Sequence, residues 1–165
     1  MAHTDYTFYT ERYFGNIIPE ADFPRLSERA SDFIDTLTFD RLVGGLPTNE
    51  RAAAKVQKAV CAVSEKLYQI GLAEQQALSA ASGTSTQTGV MAGTTGVITS
   101  KSSGSESVSY APPSELAGGA KEWSAVYAAA GDAEATNKVL AGAAIPYLSG
   151  VTDDKGVCLL YAGIG

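Results

Sequence analysis

The chain has 165 residues, 45% of them apolar, and sets 12 Lys and Arg against 18 Asp and Glu for a formal charge of −6. That length suits one packed soluble domain spanning residues 1–165, with a helical core over about 20–78 and 132–150. The acidic balance leaves no broad basic field for phosphates, which argues against tight DNA binding.

Near the start, Tyr6, Phe8, Tyr9, Tyr13 and Phe14 fall within nine positions. The spacing predicts a single turn over Glu11 to Tyr13, capped by Thr10 and ended by Gly15, with the aromatic rings as a lid over the core. Next, Phe23, Leu26, Ala30, Phe33, Ile34 and Leu37 recur at steps of three and four, while Arg25, Glu28, Arg29, Asp32 and Asp35 take the other side. This is the pattern of an amphipathic helix entered at Asp22 to Pro24, ending near Thr38 before GGLP.

Thr48 or Asn49 then caps the strongest helical pattern, RAAAKVQKAVCAVSEKLYQIGLAEQQALSAA. Ala52, Val56, Val60, Val63, Leu67, Ile70, Glu74 and Leu78 form one stripe, apolar except at Glu74. Gly71 interrupts it at about 1 kcal/mol relative to Ala. At 1.5 Å per residue the helix runs about 45 Å and outreaches the one before it, so something else must cover its far end. Alanine on several sides (Ala52, Ala53, Ala54, Ala59, Ala62) suits close packing on more than one face, against the same chain or a neighbouring subunit.

From Ser79 to Thr95 the composition turns to Ser, Thr, Gly and Ala, a linker mixture, and opens an excursion over about 79–112. Within it GVITSKSSGSESVSY reads as a β-hairpin. Val97 and Thr99 alternate with Ile98 on one arm, Val108 and Tyr110 with Ser107 and Ser109 on the other, about a Ser103-Gly104-Ser105 turn. A lone two-stranded ribbon is marginal in water, so it needs a further strand or surface. After the loop APPSELAGG, Trp123, Val126 and Tyr127 stand close to helical spacing. Asp132 then caps a last helix whose Val139, Leu140, Ala143, Ala144, Tyr147 and Leu148 make an apolar face, with Pro146 bending it. Residues 156–165, GVCLLYAGIG, read as an extended, strand-like apolar tail, tucked into the core or inserted in a partner. The fold class expected is therefore mainly α: a small helical bundle with one long central helix, a protruding β-hairpin and an extended C-terminal strand-like tail.

The residues offer no catalytic constellation, no metal set and no cofactor site. His3 is the only histidine and stands in a mobile N-terminal segment, which leaves out a Ser-His-Asp arrangement and a histidine metal site. GVITSKS lacks the glycine that should precede Lys101 in a phosphate-binding loop, and no helical pattern follows. Asp153 and Asp154 read as a solvated turn, and Ser64 and Lys66 do not share a helix face. Cys61 and Cys158 match no metal or redox spacing and read as small apolar side chains in a reducing compartment. MAHTDYTF is not a secretory signal, and no apolar run approaches the roughly 18 residues that span a bilayer, so the expected site of synthesis is the cytoplasm, with no membrane partner. Charge is uneven, with four basic and nine acidic side chains in residues 1–50 and four basic and two acidic in 51–82. Opposite ends of neighbouring copies can attract on that basis.

IIPEADFPRLSERASDFIDTLTFDRL, the long Ala-rich helix, ITSKSSGSESVSYAPP, and YLSG with GVCLLYAGIG, in that order, resemble the head-tail connector (adaptor) proteins of tailed bacteriophages and prophages. The resemblance covers most of the chain, and its motifs are hydrophobic and structural. It implies a non-enzymatic virion protein at the neck, made in the host bacterial cytoplasm, forming a homo-oligomeric ring, typically of twelve copies, below the portal protein. The ring extends the DNA channel without specific DNA binding and docks the stopper or tail-completion protein. Carried over, the hairpin residues Val97, Ile98, Lys101, Glu106, Val108 and Tyr110 would contact neighbouring subunits, and Leu159, Leu160, Tyr161 and Ile164 of the tail would contact the portal or an adjacent copy. The sequence departs from the family pattern at Val151 to Lys155, which looks like an insertion, and at Ala162, where relatives often carry a basic side chain. The stretch 111–131 lacks a clear counterpart. The alternative reading is a non-viral helical adaptor or regulatory protein that binds one protein partner through its aromatic N terminus.

Overall fold

The computed structural model describes residues 2–81, 98–101, 108–110 and 121–161. The chain is mainly helical. Among the described residues there are five helices, α1 (Tyr6–Glu11), α2 (Phe23–Leu37), α3 (Glu50–Ala81), α4 (Lys121–Ala129) and α5 (Ala133–Leu148), and two short strands, β1 (Ile98–Lys101) and β2 (Val108–Tyr110), which fall between α3 and α4 in sequence.

The caps explain where the helices begin. Asn49 Oδ1 accepts from the amides of Arg51 and Ala52 at 3.0 and 3.2 Å and opens α3. Asp132 Oδ1 accepts from those of Glu134 and Ala135 at 2.9 and 3.2 Å and opens α5, both as the sequence suggests. At the N terminus the expectation is off by about one turn. Helix α1 starts at Tyr6 because the Asp5 carboxylate takes the Phe8 amide at 2.7 Å, while the Thr10 hydroxyl is spent on the Tyr6 carbonyl. Helix α5 carries Pro146 in its final turn and runs on to Leu148.

Helix α3 is the axis, with α1, α2, α4 and α5 all packing against it. Every residue from Ala59 to Ser64 is buried, so this segment is enclosed on all sides. Ala59 and Ala62 are small enough to let the surrounding helices come close. One apolar cluster joins Ala30 and Ile34 of α2 to Val56, Val60 and Val63 of α3, and to Leu140, Ala144 and Leu148 of α5. A second holds Tyr9, Ile18, Phe23, Leu26 and Cys61. Burial pushes the Cys61 thiol up to about 12, which keeps it protonated and inert. Hydroxyls inside the helices are satisfied locally: Ser31, Thr38 and Ser64 donate to carbonyls four residues back at 2.7, 2.9 and 2.8 Å.

The aromatic N-terminal patch is a packed layer. Tyr9 lies fully buried, its ring 4.9 Å from that of Phe23, with Tyr6 and Tyr13 at 5.8 and 5.9 Å. Gly15 is required here, since a Cβ on it would sit inside the Tyr9 ring. His3, expected in a mobile segment, is instead held down. Asp35 Oδ1 accepts from its Nε2 at 2.7 Å, Ser31 Oγ accepts from its amide at 3.0 Å, and its carbonyl accepts from Gln57. Three contacts on two helices outweigh the chain-end entropy that made mobility the expectation.

The connection between α2 and α3 carries a strained exit. Phe39 and Asp40 follow the helix with φ of 56° and 59°, a left-handed conformation that usually falls to glycine and costs Phe39 roughly 1–2 kcal/mol.

Residues 156–161 are not the extended strand expected for the tail. Thr152 and Cys158 form an isolated antiparallel bridge, the Asp153 amide donates to the Val157 carbonyl at 2.8 Å, and Leu159 returns its amide to the Val151 carbonyl at 2.9 Å. The reason is local. Asp153 Oδ1 accepts from the amides of Lys155 and Val157, both at 2.9 Å, and closes a tight turn through Gly156 at φ 78°. Residues 162–165 lie outside the described residues.

Candidate assembly surfaces

Of the hairpin residues singled out from sequence, Val97 and Glu106 lie outside the described residues. Ile98, Lys101, Val108 and Tyr110 fall in the two strands, which pair antiparallel with Ile98 opposite Tyr110 and Lys101 opposite Val108. The register slips between Ile98 and Ser100, so the ribbon is irregular. Among the described residues the sheet has these two strands and no third, so each strand keeps one edge without a ladder partner.

The four tail residues part company. Leu159 is fully buried in the chain's own main cluster, and Leu160 packs at its border. The expected contact through Leu159 with a portal or neighbour is therefore corrected: its side chain is spent inside its own fold, because the turn at Asp153 aims it back at the helices. Tyr161 is half exposed, and Ile164 is not among the described residues.

What fastens the 150–161 loop is a polar clamp that sequence reading missed. Arg41 Nη2 donates to the Tyr161 carbonyl at 2.9 Å, and its Nη1 lies 3.7 Å from Asp153 Oδ2. Asp154 Oδ1 accepts from both the amide and the hydroxyl of Thr48 at 2.8 Å. The two neighbouring carboxylates thus do separate structural work, which replaces the expectation of a freely solvated turn. The Asp153 carboxyl is held below its ordinary value, chiefly by the Val157 amide and then by the Lys155 amide and Arg41. The Asp-x-Lys-Gly order was the one available signal, and it marks a turn without naming Arg41 or Thr48, over a hundred positions away.

A second polar arrangement joins α1 to α3. The hydroxyl of Tyr9 donates to Glu65 Oε1 at 2.9 Å and accepts from the amides of Ile17 and Ile18 at 3.0 and 3.2 Å, while Tyr13 donates to Glu65 Oε2 at 3.3 Å. Burial raises both phenols, Tyr9 to about 12. One carboxylate therefore anchors the aromatic layer.

Among the described residues the surface carries exposed large apolar side chains at several places, Phe14 and Ile17 near the N terminus and Ile145 on α5 among them. Phe39 and Val43 stand 53% and 68% exposed beside the clamp. Towards the far end of α3, Leu78 is 70% exposed, next to a groove of about 420 Å³ between α2 and α3. Among the described residues no three His, Cys, Asp or Glu gather as a metal set, and no helix is long and apolar enough to cross a membrane.

No protein-family profile matches the chain, and neither a curated protein nor a solved structure does.

Proposed function

We propose that this protein is a structural, non-catalytic subunit of the neck of a tailed bacteriophage or prophage. Copies form a ring, typically of twelve, between portal and stopper or tail, extend the DNA channel and give the tail its docking surface. The observation that carries this reading is the two-stranded ribbon whose outer edges have no third strand among the described residues. A ribbon of that size is marginal alone and is completed at low cost by strand addition from a neighbour, which makes a head-to-tail contact. A mainly helical subunit built round one long helix, and an acidic chain to which a DNA backbone does not adhere, agree with it.

The rival adaptor reading drew on an aromatic N terminus. Tyr6, Tyr9 and Tyr13 are occupied with Phe23 and with one another, which leaves that reading only Phe14 and Ile17 as exposed apolar side chains there. Electron microscopy of the purified chain, alone and mixed with a portal protein of the same genome, tests the ring. Closed rings, free or seated on the portal, are expected. A chain that stays monomeric and ignores the portal would overturn the assignment.

A further inference from the structure

No further inference is drawn: the strongest candidate, the exposed apolar surface patch of Phe39 and Val43 beside the Arg41 clamp past the end of α2, carries nothing because nothing among the described residues shows what covers it.

Discussion

The two halves of α3 share one stripe and one alanine-rich composition, yet they live in different surroundings. From Ala59 to Ser64 every side chain is enclosed, while from Glu74 to Leu78 every residue is exposed. Helical pattern alone cannot distinguish them, because both halves repeat at the same steps. What differs is supply. Helix α2 has 15 residues and α5 16 against 32 in α3, and among the described residues α4 reaches the far part where Tyr127 donates to Gln76 at 2.6 Å, so coverage is closest over the middle of the axis and thinner towards its end. An apolar stripe on a helix predicts a partner; the lengths of the other helices decide whether that partner belongs to the same chain.

The sharpest way to break this contrast is to truncate one residue in each half. Val60→Ala should lower the unfolding free energy by about 2–3 kcal/mol, from lost transfer energy and a cavity, whereas Leu78→Ala should stay within about 0.5 kcal/mol. Chemical denaturation of both variants, as dilute monomers, checks the pair, and equal losses would mean that the far end is covered as well as the middle. Next comes the aromatic layer on the enclosed half. Tyr9→Phe leaves Glu65 and two amides without their partner and should cost about 1–2 kcal/mol. Burial holds the folded phenol at about 12 against 10.0 unfolded. Its contribution is therefore complete below pH 10 and lost as pH climbs through about 12, so wild-type stability should fall over that window and the variant's should fall less. The smallest effect is at Gly71, on the side of α3 turned from the buried Ile70 and Ala73: Gly71→Ala should raise monomer stability by up to about 1 kcal/mol, read as a shift in thermal midpoint, because no atom stands where the methyl would go.

Much of the helical frame was legible because its signals are local. Asn49 and Asp132 announce α3 and α5 through amides two and three residues on, and the stripes of α2 and α3 repeat over several turns. Helix α1 was misplaced because Asp5 and Thr10 compete as caps, and sequence does not show that Thr10 would bond backward to Tyr6. Residues 156–165 read as an extended apolar tail, tucked into the core or inserted in a partner; Leu159 is tucked in, but 156–161 are not an extended strand. The hydrophobic residues there are real, but the Asp153 turn that folds Leu159 inward depends on side chain to backbone bonds and on Arg41, far away in sequence. The exposed Phe39 was not legible in the sequence, since its exposure follows from a backbone angle that no spacing encodes.

The ties at the end of α2 have a consequence for tolerance to change. His3 fastens to Asp35, and Tyr161 and Asp153 fasten to Arg41, so an early residue and a late one are stitched to sites six positions apart. The closed frame so made does not depend on the length of chain running between α3 and α4. By chain-closure entropy alone, each doubling of a connection's length costs only about 0.6 kcal/mol, so a change of length there should cost less than a change at Arg41. Variation among kindred sequences should therefore gather in that span, with the frame kept constant beneath it.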